Sequence, residues 1–96
     1  MEEETKKKEL TADDFRQIRY ALCQKAYDWY IYSRKPVFQG MEVMSTKNKD
    51  KYVLKDIESG IMLGMKREVS DNEVLTKLTF FDVYDEDDPD NQDLLG

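Results

Sequence analysis

The chain has 96 residues, of which 21 are acidic and 15 are basic, a net charge of −6, with one cysteine and no histidine. This length holds one domain, and one cysteine cannot form a disulfide within the chain, which is typical of a reducing compartment. Without histidine the chain lacks the most common general base and zinc ligand. We therefore expect no enzymatic activity, no metal site and no cofactor.

The N-terminus and the hydropathy of the chain give no sign of a membrane or secreted protein. The first ten residues are charged and lack the apolar run of a secretory signal. No segment approaches the roughly 18 apolar residues of a membrane span. We expect a soluble cytoplasmic protein with no membrane partner, in which residues 1–10 form a charged, flexible leader.

A long helix is predicted after this leader. Thr11 is a suitable N-cap, and two aspartates follow in the first turn, where the helix dipole favours negative charge. Pro36 ends the helix near Arg34, because the residue before a proline disfavours helical geometry. Five apolar residues recur every three or four positions and mark the buried face: Phe15, Ile18, Leu22, Ala26 and Trp29. We expect the single cysteine, Cys23, to be an inert part of the core.

Beyond Pro36 the apolar pattern changes to that of extended strands. Four strands are predicted: Val37–Met44, Lys51–Ile57, a third that alternates through Ile61, Leu63 and Met65, and Val74–Tyr84. The connections between them are short, which favours antiparallel hairpins. The predicted fold class is therefore α+β, with one long N-terminal helix packed on a four-stranded antiparallel β-meander. Residues 11–84 would form the single domain.

The C-terminal end is strongly acidic. Seven acidic residues and no lysine or arginine lie in 82–96: Asp82, Asp85, Glu86, Asp87, Asp88, Asp90 and Asp93. The first 81 residues therefore carry 14 of the 21 acidic residues against all 15 basic ones, and are close to neutral. We expect 85–96 to be a disordered tail.

The leading functional hypothesis rests on this tail. A dense negative charge attracts basic surfaces, so we expect a small non-enzymatic interaction protein that binds a basic surface of a protein partner. In one form of the hypothesis the carboxylates mimic the phosphates of a nucleic acid, and the chain inhibits a nucleic-acid-binding protein.

Two alternatives use other residues. In the first, a small nucleic-acid-binding domain has an autoinhibitory tail that folds back onto the lysine-rich stretch, with contacts from Arg16, Arg19, Lys47, Lys49, Lys51 and Lys55. The acidic pI of 4.6 argues against this alternative. The second alternative is a structural subunit that oligomerises through its tyrosine-rich helix, for example as a homodimer. In the leading hypothesis the same helix supplies a second partner-binding face beside the tail, formed by Tyr27, Tyr30 and Tyr32.

Overall fold

The computed structural model describes residues 10–72, 75–85 and 87–93, so most of the predicted leader lies outside the described residues. Helix α1 spans Ala12–Asp28 and continues as a π-helical turn, Trp29–Ser33. Within the described ranges five strands follow: β1 Val37–Phe38, β2 Met41–Ser45, β3 Lys51–Asp56, β4 Met62–Val69 and β5 Leu75–Phe81. A short 3-10 helix, Pro89–Asp93, comes last.

Thr11 is the N-cap of α1, as the sequence predicts, and the structure adds a capping box with Asp14. The Oγ1 of Thr11 accepts a hydrogen bond from the backbone N–H of Asp14 at 3.0 Å, and Asp14 Oδ2 accepts from the N–H of Thr11 at 3.1 Å. These two bonds satisfy donors that a helix N-terminus otherwise leaves free. At the other end Arg34 adopts a left-handed conformation, with a φ of 58°, and its N–H donates to the carbonyl of Trp29. The helical segment therefore ends where the sequence predicts.

All five strands form one antiparallel sheet in the order β1-β2-β3-β4-β5. The α+β prediction is confirmed, but the prediction of four strands is wrong, because the first predicted strand divides into β1 and β2. A tight turn at Gln39 and Gly40, with φ values of 49° and 79°, reverses the chain and pairs Phe38 with Met41. Two consecutive residues with positive φ are the geometry of a two-residue hairpin turn.

Helix α1 packs across one face of the sheet, which we call the inner face, and the opposite face is the outer face. The core between them is formed by Leu22, Ala26 and Trp29 of the helical segment and by Met41, Leu54, Leu63, Met65 and Leu78 of the strands. Phe15 and Ile18 are only half-buried, so the predicted helix face is fully buried only in its C-terminal half. The chain forms one compact domain around this core.

Trp29 anchors the C-terminal end of the helix to the sheet. Its side chain is 4% exposed, and its ring meets that of Tyr52 edge-on at 5.4 Å. The indole Nε1 donates a hydrogen bond to the carbonyl of Lys35 at 2.8 Å, which gives a buried polar group its partner. No helix in the described ranges combines the length and apolar character needed to cross a bilayer.

Candidate functional site

Three successive turns shape the start of the acidic tail. They begin at Asp82, Asp85 and Asp88, and in each the carbonyl of the aspartate accepts from the backbone N–H three residues later, at 3.3, 3.1 and 3.0 Å. The Oδ1 of the same aspartate accepts from the N–H two residues later, at 2.9, 3.0 and 3.0 Å. Each aspartate therefore forms an Asx turn, in which its side chain replaces a backbone acceptor. These three residues determine the path of the chain as well as its charge.

The tail then lies against the outer face of the sheet. The carbonyl of Asp90 accepts a hydrogen bond from Lys51 Nζ at 3.0 Å, and Asp90 Oδ1 is 3.4 Å from the Nζ atoms of both Lys51 and Lys66. The side-chain amide of Asn91 donates to the carbonyls of Asp82, at 3.1 Å, and Asp85. We call 87–93 the docked segment. Composition predicts a disordered tail, whereas the structure gives this segment a 3-10 helix and tertiary contacts that composition does not reveal.

The position of Asp90 follows from the register of β3 and β4. Lys51 and Lys66 are directly opposite each other in this register, and like charges in such a pair are destabilising. The other outer-face lysines of the paired strands are not opposite a like charge. Lys55 is opposite Glu42 of β2 on one side and Met62 of β4 on the other, and Lys77 is opposite Glu68. We call Lys51 and Lys66 the lysine pair, and Asp90, from the end of the chain, contributes a carboxylate that lies close to both.

The lysine pair is partly enclosed. The Lys51 side chain is 7% exposed, whereas those of Lys66 and Asp90 are each 34% exposed. The Nζ of Lys51 is 5.8 Å from the centre of the Phe81 ring, and this ring lies directly over Gly64. A buried ammonium requires compensation by an opposite charge and hydrogen bonds, and Asp90 contributes both to Lys51.

The remaining predicted tail residues are not all in equivalent positions. Asp82 is half-buried and its Oδ2 is 3.8 Å from Arg19 Nη1, whereas Asp85 and Asp87 are exposed. Glu86 lies outside the described residues. Asp93 ends the 3-10 helix, and only its backbone is described.

The predicted nucleic-acid contacts are separated rather than assembled. Arg16 pairs with Asp13 at 2.8 Å and Arg19 with Asp82, near the N-terminus of α1. Lys47 and Lys49 are exposed in the turn between β2 and β3.

The turn between β2 and β3 lies near the C-terminal end of the helical segment. Asp50 Oδ1 accepts hydrogen bonds from Arg67 Nη2 and Nε at 2.8 and 3.3 Å, and Arg67 Nη1 donates to the hydroxyl of Tyr30 at 3.4 Å. The hydrogen bond to Asp50 raises the pKa of the Arg67 guanidinium further above its ordinary value. Arg16 and Tyr30 are 14 positions apart, which corresponds to about 21 Å of helix, so the two basic groups do not share one surface.

The three predicted tyrosines also have different environments. The hydroxyl of Tyr27 donates to the carbonyl of Leu78 at 3.2 Å, and Tyr27 remains 42% exposed. Tyr30 is half-buried, with the Arg34 guanidinium 4.3 Å from its ring centre. Tyr32 is 79% exposed. The first two fasten the helix to the sheet, and Tyr32 alone is largely free for contact with another molecule.

A groove of about 800 Å³ runs between the N-terminal half of α1 and β5, and Phe15, Arg19, Cys23 and Phe80 contribute to its lining. Cys23 is half-buried against the core. Burial raises the pKa of the Cys23 thiol, and the charge of Arg19 lowers it by a smaller amount. This agrees with an unreactive thiol. In the part of the chain that the structure describes, no three acidic or cysteine side chains are arranged to hold a metal ion.

No protein-family model, no curated protein and no solved structure matches this chain.

Sequence reasoning missed Lys66 and Asn91, which complete the contacts of the docked segment. A signal for the turns was present, because Asp82, Asp85 and Asp88 recur every third residue and aspartate favours Asx turns. Lys66 had no local signal. It meets Lys51 only through the pairing of β3 with β4.

Proposed function

We propose that this chain is a small non-enzymatic interaction protein that presents the acidic turns of its tail to a basic surface of a protein partner. The observation that supports the proposal best is the order of the docked segment. Asp87 is the first residue of this segment and Asp85 lies just before it; both are exposed, and among the described residues neither carboxylate forms an ion pair. Two charges are thus available to another molecule.

Order in the free protein favours binding. A disordered tail must lose conformational entropy when it binds, and this loss weakens the complex. A segment already held by Asp90 and Asn91 has lost most of that entropy on folding. The exposed carboxylates also add to a field that attracts a basic partner and accelerates association.

A partner that normally binds nucleic acid is the most specific form of this proposal. Such a partner has a surface adapted to a row of phosphates, and consecutive turns that each begin with a carboxylate offer a protein substitute for that row. Inhibition would follow from occupation of the surface.

The proposal is tested with a variant in which Asp85, Asp87 and Asp88 are replaced by asparagine. Asparagine accepts the same hydrogen bond in an Asx turn, so the variant loses three charges and keeps the turns. The matched control carries Asp28→Asn, Glu58→Gln and Asp71→Asn, which remove three charges from exposed positions elsewhere. Proteins captured from cells of the source organism by the wild type are compared with those captured by each variant.

We expect the control to bind a specific partner as the wild type does. The tail variant should bind the same partner with an affinity that is lower by about tenfold or more. Association of the purified partner should slow steeply as salt rises, because the Debye length falls from about 10 Å at 0.1 M to about 3 Å at 1 M. Equal binding by the tail variant and the control would refute the proposal.

The two alternatives receive less support from the geometry. For nucleic-acid binding, Arg16, Arg19 and Lys51 each face a carboxylate of the same chain. Tyr32 supports an interaction through the helix, including a homodimer, but Tyr27 and Tyr30 are engaged within the fold.

A further inference from the structure

We infer that the free edge of strand β5 is a dimerisation surface, on which a second copy of this chain adds its own β5 in the antiparallel direction. The strand order places β5 at one end of the sheet, and among the described residues no strand lies on its other side. This surface is separate from the acidic turns of the proposed function and from the tyrosine face of the helix.

The hydrogen bonds of the neighbouring strands show which backbone groups face this edge. In β4 the N–H of Arg67 donates to the carbonyl of Asp50, on the β3 side. Backbone groups alternate in direction along an antiparallel strand, and two residues that face each other without exchanging hydrogen bonds both point outward. Arg67 faces Leu78 in the register of β4 and β5, so Leu78 points away from β4. Phe80, two residues later, points the same way.

Three of the four backbone groups at Leu78 and Phe80 lack a partner within the described chain. The hydroxyl of Tyr27 donates to the carbonyl of Leu78, which agrees with a carbonyl that lies outside the β4–β5 ladder. The N–H groups of Leu78 and Phe80 and the carbonyl of Phe80 form no hydrogen bond among the described residues. Unpaired groups in this geometry are a template for another extended strand.

The strand carries few of the features that protect an exposed edge. Natural proteins protect such edges with prolines, bulges or several charged residues. The sequence of β5 contains no proline and a single lysine, Lys77. The register shift between β4 and β5 lies at Glu68 and Val69, opposite the first residues of β5. The rest of the edge is therefore open to pairing.

An apolar surface continues from this edge toward the helix. Phe80 lines the groove between α1 and β5 together with Phe15 and Cys23. Tyr20, which also lines this groove, is 66% exposed, and the ring of Tyr27 meets that of Phe80 edge-on at 6.0 Å. Inner-face side chains of an added strand would lie beside these rings, and the burial of apolar surface would stabilise the pairing.

The sequence of β5 is complementary to itself in the antiparallel direction. When Leu78 of one copy faces Phe80 of the other, both residues in both copies gain hydrogen bonds, and the two-fold axis passes between the two Thr79 residues. On the inner face leucine is then opposite phenylalanine, and on the outer face Lys77 is opposite Phe81. No like charges are opposite each other, and apolar and threonine pairs stabilise antiparallel strands.

Charge complementarity favours a second copy over an unrelated strand. Antiparallel pairing brings the exposed Lys77 of one copy to the end of β5 in the other, where the acidic turns at Asp82 and Asp85 begin. The contact occurs twice, because a two-fold interface uses the same surface of both copies.

Amide hydrogen exchange of the full chain, measured by NMR at several protein concentrations, tests the backbone pairing. When about nine tenths of the chains are paired, exchange at Leu78 and Phe80 should slow about tenfold, because only the unpaired tenth has open N–H groups. The N–H of Thr79 points at β4 in either state and is the internal control. Sedimentation equilibrium gives the paired fraction.

Charges placed on the two-fold axis test the arrangement of the two strands. Thr79→Lys and Thr79→Glu should each weaken dimerisation by about fivefold or more, since each sets like charges opposite each other. An equimolar mixture of the two should recover pairing, because opposite charges then face across the axis. Tyr32→Ser, the control for a dimer through the helix, should leave dimerisation unchanged. Circular dichroism verifies that each variant folds.

A disulfide tests the register in a Cys23→Ala background. Thr79→Cys should crosslink two chains on oxidation, because facing Cα atoms in a pair without mutual hydrogen bonds are about 4.5 Å apart. Lys77→Cys should not, since its two copies would be about 13 Å apart along the strands. The inference is overturned if the two cysteine variants crosslink equally, if the wild type stays monomeric up to about 1 mM, or if the mixed charge variants pair no better than either alone.

Discussion

The close contact between Gly64 and Phe81 provides a quantitative test of the outer face. Gly64 is in the middle of β4, opposite Phe81 of β5, and a Cβ added to this glycine would overlap three atoms of the phenyl ring. In an ordinary strand, alanine is favoured over glycine by about 0.5–1 kcal/mol because glycine loses more backbone entropy on folding. The sign of the Gly64→Ala effect therefore shows whether packing or backbone entropy dominates.

Steric overlap should dominate. Overpacking of a well-packed site costs about 1–3 kcal/mol, so Gly64→Ala should lower the free energy of unfolding by about 0.5–2 kcal/mol after the entropic gain is subtracted. Phe81→Ala alone should cost about 3–5 kcal/mol, since its side chain is only 8% exposed. In the Phe81→Ala background the new methyl group has space, and the same alanine should then be neutral or slightly stabilising.

The prediction is measured as a double-mutant cycle. Urea denaturation of the wild type, both single variants and the double variant can be followed by the fluorescence of Trp29, the single tryptophan of the chain, which is buried in the core. We expect an interaction energy of about 1–3 kcal/mol, in which the double variant is more stable than the sum of the single effects implies. Additive effects, or a stabilising Gly64→Ala in the wild-type background, would show that the ring does not lie over this glycine.

Three further predictions concern Trp29, Asp50 and Cys23. Trp29→Ala should lower the free energy of unfolding by about 3–5 kcal/mol, and Trp29→Phe should cost less and mainly report the lost hydrogen bond to the Lys35 carbonyl; thermal unfolding followed by circular dichroism checks both. Asp50→Asn should cost about 1 kcal/mol at low salt and less at high salt, because its pairing with Arg67 is partly exposed. Cys23 should react slowly with a thiol reagent near neutral pH, and faster on denaturation, because burial raises the pKa of its thiol and reduces the thiolate fraction.

The helix could be predicted from the sequence because its signals are local. The Thr11 cap, the three-to-four spacing of apolar residues and Pro36 each act on neighbours only a few positions away. The structure reproduces the cap, the end of the helix and the C-terminal half of the buried face. The division of the first predicted strand also has a local cause, the turn at Gln39 and Gly40. The sequence signals this turn poorly, because glutamine rarely adopts a positive φ and apolar residues lie on either side of it.

The candidate site was only partly predictable, because its acidic residues have different roles that composition cannot separate. Asp82, Asp85 and Asp88 form turns, and Asp90 compensates the lysine pair. A count of charges treats all of them as equal. The pairing of Lys51 with Lys66 depends on strand register, a tertiary property that residue spacing along the chain does not specify.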